Sequence, residues 1–133
     1  QALDEPVVIG PSNPVTSIGP MLVVERFRNL LEDTFVLGVA PFVGNRVFSG
    51  PAGDLLRAEG YEASTRGWFE YLDCLDAVLI DEEDPTEFQC STYRSDLTMA
   101  NAQDRENLAR ATLGVLDDRA GARDVLEGVN EDR

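Results

Sequence analysis

Short, uninterrupted apolar runs constrain the fold of this chain more than any other feature of its sequence. Three of them are predicted strands, and Gly, Pro or charged residues bound them: Pro6–Ile9, Thr34–Ala40 and Ala77–Ile80. Runs without polar alternation are typical of strands buried on both faces, as in parallel sheets. Because helical segments separate the runs, the sequence predicts an α/β fold, a three-layer αβα arrangement with a mainly parallel, Rossmann-like sheet.

The segments between the strands carry the predicted helices. We expect helices over about 15–31, 51–59, 64–72 and 104–116, and a weaker strand over 88–93. Residues 117–133 are predicted to be a charged tail that contains at most a short helix over 122–129. A chain of 133 residues is about one domain long, so we expect a single α/β unit. Its start at Gln1 is how a piece of a longer protein would look, and removal of an initial Met is the alternative.

Two residue types on which many enzymes depend are missing from the sequence. There is no His, and all 11 basic residues are Arg, so there is no Lys. Without an imidazole, the chain has no Ser-His-Asp or Cys-His pair of its own. Without Lys, it has no Walker-type phosphate loop and no Schiff-base chemistry.

The charge balance also limits the partners. With 25 acidic residues against 11 arginines the net charge is −14, and a field of that sign repels nucleic acid and anionic membranes. We therefore expect neither as a partner. A Lys-free acidic surface is typical of proteins from salt-saturated cytoplasm, where salt screens the self-repulsion, and an ordinary acidic protein is the alternative.

The cysteines and the apolar runs indicate where the chain works. Cys74 and Cys90 are too far apart for a Cys-x-x-Cys unit, and both are predicted to be reduced core thiols. No apolar run reaches the roughly 18 residues of a membrane helix, and the start lacks the basic region of a signal peptide. The prediction is a cytoplasmic location.

The loop that follows the first strand has the clearest binding signature. Residues 10–20 contain three prolines, no charge and four polar side chains: Ser12, Asn13, Thr16 and Ser17. In parallel α/β sheets ligands bind at the carboxyl ends of the strands, and the N-terminus of a helix attracts anions. These residues are predicted to cradle an anion or a nucleotide. Ordinary helix capping is the alternative, because Ser, Thr and Asn are also the usual capping residues.

The loops after the second and third strands carry the remaining candidates. Asn45 and Arg46 lie between two glycines and are predicted to approach a phosphate, although Arg46 could equally be a solvated cation. Asp81 directly follows the third predicted strand and is a candidate ligand for Mg²⁺, which prefers oxygen ligands. The acidic residues that follow it, 82–84, are interpreted mostly as a solvated edge.

These loops belong to a longer series of matching stretches, which in chain order are Val8–Leu22, Val39–Gly44, Gly50–Leu56, Tyr71–Asp81 and Thr98–Met99. Together they resemble the 2-phospho-L-lactate transferase family of coenzyme F(420) biosynthesis, over about residues 6–115. The related family of nucleotide-sugar-binding gluconeogenesis factors typically has Gly-Ser-Leu where this chain has Ser12-Asn13-Pro14. This loop therefore resembles that of the transferases more than that of the gluconeogenesis factors.

The resemblance implies an activity for the full protein. It would move a phospholactyl group, or a related phosphoenolpyruvyl group, from a guanylyl-diphosphate donor to the deazaflavin Fo, with release of GMP and help from Mg²⁺. This chain would be the C-terminal part of such a transferase, from a halophilic archaeon, and inactive alone.

The resemblance also suggests roles for the candidate residues. The nucleotide crevice would be lined by Ser12, Asn13, Thr16 and Ser17. A phosphate would be approached by Asn45 and Arg46. Asp81 would face the metal or the acceptor. No catalytic base is assigned. Two other functions stay open, a non-catalytic nucleotide-sugar-binding regulator and a structural half-domain that contributes mainly to a homodimer interface.

Overall fold

The computed structural model describes residues 5–47 and 50–131. In chain order the elements are β1 (Val7–Ile9), a π-helical turn (Pro14–Ile18), α1 (Gly19–Leu22), α2 (Glu25–Glu32), β2 (Val36–Val39), β3 (Phe42–Val43), β4 (Arg46–Val47), α3 (Ala52–Ala58), α4 (Thr65–Leu72), β5 (Ala77–Asp81), β6 (Ser91–Ser95) and α5 (Ala102–Glu131). The tertiary contacts divide the chain into two compact units, which meet between Ser95 and Asp96 in the sequence. That 1–133 forms a single unit within the longer protein stays a prediction.

Four parallel strands form the main sheet of the first unit. Their order is β1-β2-β5-β6, and the register pairs Val8 with Leu37 and Leu37 with Ala77. Every residue of β2 and β5 is buried. The prediction of an α/β fold with a mainly parallel sheet is confirmed, because uninterrupted apolar strands need cover on both faces.

The core lies where the central strands meet the helices. Its largest buried side chains include Trp68 and Leu72 of α4, Leu37 of β2 and Leu79 of β5. Trp68 is fully buried, and its indole Nε1 has no hydrogen-bond partner within the described residues. Cys74 and Cys90 are free thiols, as predicted. They are only half-buried, so their predicted place in the core is wrong.

The helix predicted over 15–31 is wrong as a single element. The chain instead forms the π-helical turn, the short helix α1 and the separate helix α2. The first break follows from Pro20, which has no N–H to donate, while the N–H of Gly19 donates to the Pro14 carbonyl. The second break lies at Val24, whose extended backbone (φ −76°, ψ 103°) cannot continue a helix.

The second unit contains a helix that is longer than predicted. Residues 117–133 were expected to be a charged tail, but α5 continues without interruption from Ala102 to Glu131. Residues 132 and 133 lie outside the described residues. Residues 117–131 contain no Pro, and they include Ala, Arg, Leu and Glu, which favour helices. None of the helices among the described residues has the length and apolar character needed to cross a bilayer.

Candidate functional site

Because the four strands of the main sheet are parallel, three loops leave from one edge. The segment after β1 contains Ser12 and Asn13, the segment after β2 contains Asn45 and Arg46, and β5 ends at Asp81. The π-helical turn that follows β1 contacts both α3 and α4. The topology thus places every predicted site residue at the carboxyl edge of the sheet, where ligands bind in this class of fold.

In the first loop, the geometry around Asn13 is that of a helix cap. Its Oδ1 accepts hydrogen bonds from the backbone N–H groups of Val15, at 3.0 Å, and Thr16, at 3.3 Å. The capping alternative therefore describes Asn13 in this structure. The side chains of Ser12, Thr16 and Ser17 are exposed, and their role in binding a nucleotide stays a prediction.

The second loop forms a β-hairpin that was not predicted. Phe42 pairs with Val47 and Val43 with Arg46, so Gly44 and Asn45 make a two-residue turn. Gly44 has a φ of +59°, which only glycine adopts without strain, at the first central position of the turn. The Gly-Asn dipeptide between apolar residues was the available signal for this hairpin.

The hairpin exposes the two side chains that were predicted to approach a phosphate. Asn45 and Arg46 both lie on the surface. Asn45 also lines a concavity of about 310 Å³ between the hairpin turn, the start of α4 and the loop after β5, together with Ser64 and Arg66. Residues 48 and 49, in the rest of this loop, lie outside the described residues. Contact of Asn45 and Arg46 with a phosphate stays a prediction.

One carboxylate joins the hairpin to two other elements. Asp84 is only 1% exposed, although the sequence placed it in a solvated edge. Its Oδ2 accepts hydrogen bonds from the Gly44 N–H at 2.9 Å and from the Thr65 hydroxyl at 2.5 Å. Its Oδ1 accepts from the N–H and the hydroxyl of Thr86, at 3.0 and 2.6 Å. Asp84 therefore belongs to the interior of the protein, while Glu82 and Glu83 are exposed as expected.

The electrostatics of Asp84 follow from these contacts. Burial raises the pKa of its carboxyl, but the hydrogen bonds from Gly44, Thr65 and Thr86 outweigh burial and hold the pKa below its usual value. The Arg94 Nε adds support by donating to the Asp84 carbonyl at 3.2 Å. An ionised, fully hydrogen-bonded carboxylate is thus a fixed part of this edge.

Asp81, the predicted metal ligand, is the last residue of β5. It is 7% exposed, and its Oδ1 accepts a hydrogen bond from the Glu83 N–H at 3.0 Å. Within the described residues, no three His, Cys, Asp or Glu side chains converge as a metal site. Asp81 fits Mg²⁺ as a single carboxylate ligand, because this ion is commonly held by one or two carboxylates with water and substrate phosphates.

A larger concavity of about 650 Å³ opens at the opposite edge of the sheet. Residues of α2 and α4 line it, with Cys74 and Asp76 from the segment before β5. Burial raises the pKa of the Cys74 thiol to about 11, so this thiol is protonated near neutral pH. Size alone does not make this a site, because parallel sheets bind ligands at the other edge.

The fold and the polar loops at the carboxyl edge define a parallel α/β protein with its candidate binding groups in the βα loops. Residues 1–120 match the family described as 2-phospho-L-lactate transferase CofD, and the chain belongs to this family. The resemblance found in the sequence is therefore confirmed.

Individual relatives carry the same name. The 2-phospho-L-lactate transferase of Haloarcula marismortui is 47% identical over 110 residues, which are 83% of this chain and 33% of the relative. The transferase of Halobacterium salinarum is 45% identical over 81% of this chain and 32% of the relative, and that of Methanocaldococcus jannaschii is 43% identical over 78% and 35%. The chain thus spans about a third of the length of these relatives. The first two come from halophilic archaea, which supports the salt-adapted interpretation of the composition.

Proposed function

We propose that the whole protein transfers a phospholactyl group from a guanylyl-diphosphate donor to the deazaflavin Fo in coenzyme F(420) biosynthesis. The oxygen of the Fo side-chain hydroxyl would form a bond to the phosphorus of the phospholactyl group. The bond from that phosphorus to GMP would break, GMP would leave, and the hydroxyl proton would be lost. The observation that carries this proposal is the family match over residues 1–120, which includes the Ser12-Asn13-Pro14 loop at the carboxyl end of β1.

Such a transfer needs positioning and charge neutralisation more than a specialised base. The exposed hydroxyls of Ser12, Thr16 and Ser17 and the amide of Asn13 would line the nucleotide crevice, with the amide also holding the helical turn. Asn45 and Arg46 would contact a phosphate from the hairpin. Arg46 suits this task because it is exposed and a guanidinium can make two parallel hydrogen bonds to a phosphate.

Mg²⁺ is proposed as the cofactor. Asp81 would contribute one carboxylate, and the remaining ligands would come from the donor phosphates, water and parts of the protein outside this chain. When bound, the ion would neutralise phosphate charge. We also propose a cytoplasmic location, a homodimer, and no activity for this chain alone.

The test is a transfer assay on the whole protein with the guanylyl-activated donor and Fo, following GMP release. We expect Arg46→Ala to lower kcat/KM by about tenfold to a hundredfold, because the variant loses a charge-assisted hydrogen bond to the phosphate. Arg110→Ala is the matched control, because Arg110 is an exposed arginine on α5 that pairs with Glu106 of the same helix. No GMP release, together with binding of uridine nucleotide sugars, would instead support the non-catalytic regulator. Comparing the phospholactyl and phosphoenolpyruvyl donors in the same assay shows which of the two groups the protein transfers.

A further inference from the structure

We propose that Asp84 is a positioning residue that sets the direction of Asn45 and Arg46 toward the substrate phosphate. This inference rests on the proposed function, because it takes those two side chains as phosphate contacts. Asp84 itself is buried and does not face the loop surface. It acts through the backbone of the hairpin turn.

Hydrogen bonds hold both backbone polar groups of Gly44. Its N–H donates to the Asp84 carboxylate at 2.9 Å, and its carbonyl accepts from the Thr65 N–H at 2.8 Å. The Thr65 hydroxyl in turn donates to the same carboxylate oxygen. The left-handed conformation of Gly44 is therefore fixed by α4 and by the loop after β5, not only by the two short strands of the hairpin.

The hairpin needs this support because it is small. Strands β3 and β4 have two residues each, and a two-stranded hairpin alone is at best marginally stable in water. Asn45 and Arg46 follow Gly44 directly, so a change in the Gly44 backbone angles redirects both side chains. A phosphate contact needs such fixed geometry, since an error of about 1 Å costs orders of magnitude in rate.

Among the described residues, the four hydrogen bonds that the carboxylate accepts come from three segments: the hairpin turn, the start of α4 and the Thr86 turn. An amide at this position can accept with only one of its two ends. Asp84→Asn therefore keeps the shape of the side chain and removes part of the clamp.

The experiment compares variants of the whole transferase. We expect Asp84→Asn to raise the KM for the guanylyl-activated donor by about tenfold and to speed amide hydrogen exchange selectively in residues 42–47. The Arg46→Ala variant should raise the same KM. Adding Asp84→Asn to a variant that carries both Asn45→Ala and Arg46→Ala should raise it no further, because no phosphate contact then remains at the hairpin to misdirect.

Asp76→Asn is the matched control. Asp76 also accepts a backbone hydrogen bond, from the Val36 N–H at 2.8 Å, but at the opposite edge of the sheet. This variant should lower thermal stability without changing KM. If Asp84→Asn is not obtained folded, Thr86→Val, which removes one donor to Asp84, should give a smaller rise in KM.

The outcomes separate the two proposals. An unchanged KM in Asp84→Asn beside a raised KM in Arg46→Ala would overturn the positioning role and leave the proposed function standing. A further rise in KM when Asp84→Asn is added to the Asn45→Ala, Arg46→Ala variant would also overturn it, since it would mean that Asp84 acts independently of both contacts. If Arg46→Ala and Asn45→Ala both leave KM unchanged, the phosphate contact at the hairpin is wrong, and the positioning role fails with it.

Discussion

Gly67 in the first turns of α4 offers a sharp test of how the candidate site is built. An ideal Cβ at this position would lie 1.7 Å from the carbonyl oxygen of Glu62 and 2.7 Å from its carbonyl carbon. The Glu62 oxygen also accepts a hydrogen bond from the Ser64 N–H, so it is held in place. Gly67→Ala must therefore displace backbone, not a flexible side chain.

The magnitude follows from three opposing contributions. Alanine gains about 1 kcal/mol over glycine from helix propensity. Overpacking costs about 1 to 3 kcal/mol, and displacing the Ser64 cap, whose Oγ accepts from the Gly67 N–H at 3.1 Å, costs about 1 kcal/mol. The sum is a net loss of about 2 kcal/mol, or roughly 8 °C in melting temperature for a chain of this size.

The assay uses the fluorescence of Trp68, the neighbouring residue and the single tryptophan of the chain. Its buried ring reports on the first compact unit during thermal unfolding in molar chloride. Gly114→Ala in α5 is the matched control, because none of the described residues outside the backbone of its own helix and its chain neighbours comes within 4 Å of a Cβ at Gly114. The control should raise stability by about 1 kcal/mol, measured by far-ultraviolet circular dichroism.

Two results would refute this reasoning. If Gly67→Ala melts at or above the wild-type temperature, the start of α4 tolerates a side chain and the close approach to Glu62 is not a constraint. If the control lowers stability as much as Gly67→Ala, helix propensity and steric contact do not account for the difference between the two sites.

Four further predictions concern the loops, the acidic composition and the thiols. Asn13→Ala should lower the free energy of unfolding by about 1 kcal/mol through loss of the cap, whereas Asn13→Asp should retain most of it in urea titrations. The pKa of the Asp84 carboxyl is lower in the folded chain than its unfolded value near 3.8, so ionised Asp84 contributes fully to stability above pH 3.8. This contribution is lost as the pH falls through the folded pKa. Acid titrations followed by Trp68 fluorescence should show this loss of stability in the wild type and not in Asp84→Asn. The unfolding midpoint should climb steeply between about 0.1 and 1 M chloride, as the Debye length falls from about 10 to 3 Å, and equal melting temperatures at both salt concentrations would contradict the salt-adapted interpretation. Alkylation of Cys74 by iodoacetamide, measured by mass spectrometry, should be slow at neutral pH and should accelerate as the pH approaches 11. In the unfolded chain the same acceleration should occur at a lower pH.

The sequence by itself determined the main buried strands and the mainly parallel character of the sheet. The runs that form β2 and β5 are apolar without interruption, and this pattern requires burial on both faces in any fold that they join. The start of α4 was also local information, because the helix was predicted from residue 64, and the Ser64 side chain caps α4 by accepting a hydrogen bond from the Gly67 N–H. Strand type and helix caps depend on neighbours in the chain, so the sequence contains them.

The tertiary structure decided which polar residues matter and where the helices end. Glu82, Glu83 and Asp84 are alike as a local pattern, yet only Asp84 is buried, because its partners Gly44 and Thr65 lie 40 and 19 positions away. The π-helical turn after β1 likewise packs against α3 and α4, which belong to later segments of the chain. Contacts between distant segments have no periodic signature in the sequence, and only the folded chain reveals them.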